Sequence, residues 1–210
     1  MSVFKVIDEY IPSVSYGAFY RLATEYKVIF RLLYCCGLRI SEVRGLHTDD
    51  VDLDHGTLRI IQSKGRKDRI VYLSEDLTEL LKEYSFQLSS VFQCQSVWFF
   101  PARNPENQLS NVTIDKRFRD SWTKTPFAKN CDQNPTVHCL RHSFVVKRMN
   151  LWMEEGIPLK EMLPFLSKFL GHTSPEETLY YYHQVDSAFR IIRRLDKTSA
   201  KVIPEVTADE

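Results

Sequence analysis

The stretch PTVHCLRHSF, Pro135 to Phe144, sets two histidines, an arginine, a cysteine and a serine within six positions of an otherwise apolar segment. His138 and Arg141 are three residues apart on a predicted helix, so their side chains share a face and can address one anion together, as a bound phosphate requires. The same pair could also serve only to cap a helix end. Three other stretches bear on the choice: GLRISEVRGL with Arg39 and Glu42, SKGRKDR with Lys64, and FLGHTSPEETLYYYH with His172 and the adjacent Tyr180, Tyr181 and Tyr182. Cys131, His138, Cys139 and His142 are conceivable zinc ligands. Structural zinc takes tightly spaced Cys or His pairs, however, and these positions form no such pattern, so no metal is expected. Cys131 and Cys139 read as small buried residues, and His142 and Ser143 as scaffold.

The elements that must carry these residues follow from periodicity. From Tyr16 to Tyr34 apolar residues recur at helical spacing, Gly37 follows as a stop, and RISEVRGL forms a short helix. DDVDLDHG reads as loop and turn. Thr57 to Ile61 and Arg69 to Leu73 are rich in β-formers and flank a polar, glycine-containing segment, which predicts a hairpin with Lys64 at its tip. Leu77 to Val91 is helical in spacing, and VWFF is either a strand or a buried loop. Pro126 and Pro135 bracket a loop. Helical patterns then run over His138 to Leu151, Leu159 to Leu170, Pro175 to His183 and an amphipathic Ser187 to Lys197. Pro164 is expected to kink or interrupt its helix. The fold class is α+β, mainly helical, with a small antiparallel sheet. Residues 1–200 read as one domain and 201–210 as a disordered tail.

The composition fits a soluble domain: 210 residues, 43% hydrophobic and 26% charged. No run approaches the eighteen or so apolar residues of a membrane span, the N-terminus lacks a signal pattern, and the cytoplasm is the default location. Five cysteines in a chain of this size read as reduced thiols, with the adjacent Cys35 and Cys36 as core filler. The net charge of +1 does not by itself announce a nucleic-acid partner, and a single basic cluster is usually a solvated face.

In their order and surroundings, the four motif stretches resemble the catalytic domain of the tyrosine recombinases, the phage integrase family, over about Leu22 to His183. Arg39 matches that family's first arginine, Glu42 its supporting acidic residue and Lys64 the lysine of its β-hairpin. His138 and Arg141 match the H-x-x-R pair, His172 the histidine of LGH, and Tyr181, nine residues on, the nucleophile. Only one of three adjacent tyrosines can face the arginines, because successive helical side chains diverge by about 100°. Register selects Tyr181, with Tyr182 the rival, and Leu179 and Tyr180 read as buried packing.

The resemblance implies site-specific DNA cleavage and rejoining through a 3′-phosphotyrosyl link, with double-stranded DNA and further copies of the chain, as a tetramer, for partners and no cofactor. The residue types suit that chemistry. Arg39 and Arg141 form a permanently charged clamp for the nonbridging oxygens. His138 accepts the tyrosine proton, Lys64 protonates the leaving 5′ oxygen, His172 hydrogen-bonds a nonbridging oxygen, and Glu42 orients the cations. Arg66, Lys67, Lys116, Arg117 and Arg119 are candidates for DNA contact. A type IB topoisomerase would share this chemistry, and a non-catalytic DNA-binding regulator would share the fold. Two departures from the family pattern stand out: no room precedes Arg39 for the family's N-terminal DNA-clasping domain, and the Gly156 to His172 segment looks about one helical turn longer.

Overall fold

In the computed structural model of the chain, the described residues are 2–12, 21–61, 68–91, 96–131 and 134–183, with the side chains of 181–183 left aside. Helix α1 spans Val3–Asp8, and α2, Leu22–Cys35, packs against four other helices. Seven buried residues of α2, Thr24, Tyr26, Val28, Ile29, Phe30, Leu32 and Leu33, cover about two thirds of its circumference, and Glu25 is buried with them. The helix is therefore a central post rather than a surface helix with one apolar stripe. At its start Arg21 pairs with Glu25, whose Oε2 accepts a 2.7 Å hydrogen bond from Tyr84.

The short α3, Ile40–Arg44, leads into a three-stranded antiparallel sheet in sequence order: β1 Val51–Asp52, β2 Thr57–Ile60 and β3 Arg69–Tyr72. Strands β2 and β3 form the predicted hairpin, with Leu58 opposite Val71 and Ile60 opposite Arg69 on the inward face. The β1 strand falls inside the segment expected to be a turn. Its two residues pair with Leu58 and Thr57 across a tight turn that contains Gly56 at φ 62°. VWFF is a loop, buried only in its second half: Phe99 and Phe100 are inaccessible, Val97 is exposed, and Trp98 makes only an isolated bridge to His47.

Helix α4, Glu75–Val91, and α5, Asn111–Trp122, complete the first half, and a 3₁₀ turn over Pro126–Asn130 follows. The second half is helical: α6 His138–Glu154, α7 Leu159–Leu170 and α8 Pro175–His183. Pro164 does not break α7. It faces solvent, where the Lys160 carbonyl that loses its intrahelical partner can be hydrated instead. Two apolar clusters result, one around α2 and the sheet and one among α6, α7 and α8.

Cys36 is buried but Cys35 is exposed, and Cys131 is exposed at the end of the 3₁₀ turn, so neither Cys35 nor Cys131 is core filler. Cys139 is only partly covered. No helix among the described residues is long and apolar enough to cross a membrane. The Ser187 to Lys197 segment and the tail lie outside the described residues.

Candidate active site

Among the described motif residues, Arg39, Glu42, Arg141 and His172 meet at the seam between the two clusters. Gly37, just past the end of α2, has φ 61°, and a β-carbon there would lie 2.5 Å from Phe144 Cδ1 and 2.9 Å from Leu170 Cδ2. Only glycine lets the end of α2 approach α6 and α7 this closely. Its carbonyl accepts a hydrogen bond from Arg141 Nη1. Arg141 is 1% exposed, and its Nη2 donates to Leu170 O at 2.9 Å. From the other cluster, Arg39 Nη2 donates to Gly171 O at 2.9 Å. The last carbonyls of α7 have no intrahelical partners and carry the negative end of the helix dipole, so they locate both guanidiniums.

Glu42 binds these cations together. One oxygen accepts from Arg39 Nη1 at 3.0 Å, the other from the Arg39 backbone N–H at 2.8 Å, which caps α3. Arg69, at the start of β3, grips both oxygens at 2.9 and 2.8 Å, and Arg141 Nη1 lies 4.0 Å away. Burial would raise the carboxyl's pKa, but the bonds and charge of Arg69 and Arg39 outweigh it and hold the group below its ordinary range. Three guanidiniums share one carboxylate, which leaves a net positive cluster suited to an anion.

Arg69 was no part of the site as read from sequence, where it was one basic residue among several. The signal was its register: alternation places it on the inward face with Ile60, and a charge there needs a partner.

His172 follows the left-handed Gly171, φ 66°, and its N–H donates to Ser167 O at 2.9 Å. That closure ends α7 and turns the ring under the arginines. Its Nε2 lies 2.8 Å from Arg141 Nη2 and its Nδ1 2.7 Å from Thr178 Oγ1. Burial, then the charges of Arg141, Arg39 and Arg69, push its pKa down to about 3 despite Glu42. The ring is neutral at any physiological pH. Thr178, fully buried on α8, is the second residue that sequence reasoning missed.

His138 opens α6 and stacks edge-on against His142, their ring centroids 4.8 Å apart. Partial burial and the charges of Arg141 and Arg39 lower its pKa, so it too favours the neutral form that can accept a proton. His142 is pushed down to about 4 by burial, His138 and Arg141. Beside His138 lies a cleft of about 570 Å³ whose polar lining includes Asn111, Asp115, Arg119 and Thr136. Among the described residues no three His, Cys, Asp or Glu side chains gather as a metal site.

The remaining expected residues divide. Lys64, Arg66 and Lys67 lie outside the described residues, and so does the side chain of Tyr181, although its backbone belongs to α8. Tyr180 is 62% exposed and is not buried packing, whereas Leu179 does pack against the second cluster. Successive α8 residues diverge in direction, so the two cannot share a buried face. Lys116 and Arg119 are exposed. Arg117 departs from the expected DNA-contact role: its guanidinium stacks 3.8 Å over Tyr10 and also faces Tyr26, and so ties α5 to the segment after α1 and to α2.

This geometry has counterparts. Residues 15–188 match the phage integrase family. The chain belongs to that family. A tyrosine recombinase, XerC, of Chlorobaculum tepidum is 34% identical over 167 residues, covering 75% of this chain and 44% of the relative. The XerA recombinase structure superposes with a TM-score of 0.65 at 25% identity, over 92% of this chain and 63% of XerA. The XerH site-specific recombinase, bound to a palindromic difH substrate after cleavage, has a TM-score of 0.68 at 21% identity over 92% of this chain and 49% of its own. The chain thus spans less than half the length of the curated XerC relative. With the integrase family, it shares a mostly helical domain with a small antiparallel sheet.

Proposed function

We propose that the chain is the catalytic domain of a site-specific DNA recombinase that works through a covalent 3′-phosphotyrosyl intermediate. The observation that carries this reading is the convergence of Arg39, Arg141 and His172, from three separated segments, in one largely buried positive cluster at the seam. The hydroxyl oxygen of Tyr181 attacks the scissile phosphorus, a new phosphorus–oxygen bond forms, and the bond to the 5′ oxygen breaks. The tyrosine proton passes to neutral His138, and Lys64 supplies a proton to the departing 5′ oxygen. Arg39 and Arg141 oppose the charge that grows on the nonbridging oxygens, and His172 donates to one of them.

The phosphotyrosyl ester conserves the energy of the broken ester, so a second strand's 5′ hydroxyl can reverse the step. Exchange between two duplexes needs several protomers, and a tetramer of the whole protein on double-stranded DNA in the cytoplasm meets that requirement. Among the expected contact residues, Lys116 and Arg119 are exposed and so available to meet the duplex, with Arg66 and Lys67 next to Lys64 in sequence.

The test is incubation with a nicked duplex carrying the cognate site, followed by denaturing electrophoresis. A covalent protein–DNA band lost in Tyr181→Phe and retained in Tyr180→Phe and Tyr182→Phe is the expected result. Persistence of the band in Tyr181→Phe removes that tyrosine from the role. Lys64→Ala should slow cleavage far more than it weakens binding, and an equal loss of both would reduce Lys64 to a phosphate contact.

A further inference from the structure

The hydrogen bonds of His172 contain a mismatch with the task just assigned to it. A guanidinium can only donate, so the 2.8 Å contact between Arg141 Nη2 and His172 Nε2 makes Nε2 an acceptor. The single ring proton is then on Nδ1, and it is given to Thr178 Oγ1 at 2.7 Å. To donate to a nonbridging phosphate oxygen, Nε2 must carry that proton instead. Protonating both nitrogens would instead add a buried cation beside Arg39, Arg69 and Arg141, which the site opposes before phosphate enters.

The ring must therefore change tautomer when a phosphate takes over the Arg141 N–H. One proton leaves Nδ1 to solvent and one arrives at Nε2 from it before the phosphate closes the site, and the ring's charge is unchanged. Nδ1 then becomes a buried acceptor. Thr178 is 0% exposed, so water is poorly placed to substitute for it. The partner at Nδ1 has to accept in one state and donate in the other. A hydroxyl does both by turning about its C–O bond, whereas a carboxylate or an ammonium does only one.

Thr178 also sits on α8, three residues before Tyr181, so whatever holds it to His172 sets the depth and rotation of the helix bearing the tyrosine. We propose that Thr178 is a positioning residue of the recombinase site: its hydroxyl reverses its hydrogen bond to His172 Nδ1 when phosphate enters, and the same bond fastens the tyrosine helix to the LGH turn. The proposal rests on the reading of His172 and Tyr181 under Proposed function.

The experiment compares wild type with Thr178→Val, which keeps the shape and loses the hydroxyl, and Thr178→Ser, which keeps the hydroxyl. Three quantities are read: affinity for the cognate duplex, single-turnover covalent-complex formation at saturating DNA, and the nitrogen NMR shifts of His172. The Val variant should bind DNA within about twofold of wild type and form the covalent complex about a hundredfold more slowly. Ser should restore the rate to within about threefold of wild type. The His172 shifts should report Nδ1–H in the free protein and Nε2–H in the complex of Tyr181→Phe with DNA.

A Val variant that cleaves at the wild-type rate, or one tautomer in both states, overturns the proposal. If Val fails to fold by thermal melting, the tautomer comparison, made without substituting Thr178, still decides. A wild type that never forms a covalent complex sinks the recombinase reading itself; a wild type that forms one while Val equals it sinks only the role of Thr178.

Discussion

Arg69 closes on Glu42 through two hydrogen bonds of 2.9 and 2.8 Å, and so fastens the base of the hairpin that leads to Lys64 onto the motif that holds Arg39. The pair is buried, with side-chain exposures of 9% and 4%. Removing one partner of such a pair leaves an uncompensated charge in a poorly solvated place. Glu42→Gln leaves Arg39, Arg69 and Arg141 to repel one another and should cost about 3–5 kcal/mol in urea unfolding. Combining it with Arg69→Met should recover part of that loss. A double variant as unstable as the sum of the two singles would mean that the pair carries no coupling.

Acid should destabilise the protein earlier than its carboxylates alone dictate. His172 and His142 titrate near 6.5 in the unfolded chain, but burial and neighbouring cations push them to about 3 and about 4 in the fold. Their folded pKa values are depressed, so the stability they contribute is complete above 6.5 and is lost as pH falls toward 4, because the unfolded state binds more protons. Glu42, also depressed, adds loss in the same direction below its ordinary range. Each fully linked proton is worth about 1.4 kcal/mol per pH unit. Denaturant unfolding between pH 7 and pH 4 should show this slope, and His172→Gln should flatten it by up to one proton. An unchanged slope would mean that His172 is not held neutral by its surroundings.

Much of this architecture was legible because it is local. The α7 and α8 boundaries follow from helical spacing, and the hairpin follows from two β-rich runs around a polar tip. What escaped was decided by distant partners. Two residues at Val51 become a strand only because Leu58 and Thr57 come alongside. Pro164 is tolerated because the face of α7 that carries it ends up in water. The motifs brought Arg39, Arg141 and His172 forward as one candidate site, but not what holds them: α7's terminal carbonyls and Arg69 act across tertiary contacts that no spacing in the chain encodes, and Thr178 reaches back over the turn between α7 and α8.

Gly37 should be among the least replaceable residues away from the reacting groups. Its positive φ costs an L-residue about 1–2 kcal/mol, and an added methyl would collide with Phe144 and Leu170, which form one wall of the seam. Gly37→Ala should therefore lower stability by about 3 kcal/mol or more in thermal or denaturant unfolding. It should also impair cleavage, because the Gly37 carbonyl helps to place Arg141. A Gly37→Ala protein of wild-type stability would show that the seam between the two apolar clusters opens freely.

Two arginines two residues apart on one helix, and so on different faces of it, should separate folding from DNA contact. Arg117 Nη2 donates to the Tyr10 hydroxyl at 2.8 Å while its guanidinium faces the rings of Tyr10 and Tyr26. Arg119, on the same α5, is exposed beside the cleft that His138 borders. Arg117→Ala loses a partly desolvated cation–π stack and should reduce stability by about 1–2 kcal/mol with little change in DNA affinity once folded. Arg119→Ala should leave stability within about 0.5 kcal/mol and weaken binding similarly for cognate and unrelated duplexes. Its salt dependence should also fall, by about one unit of slope in log affinity against log salt, as loss of a single phosphate contact requires. The opposite pattern, with Arg117 governing affinity and Arg119 stability, would reverse the two assignments.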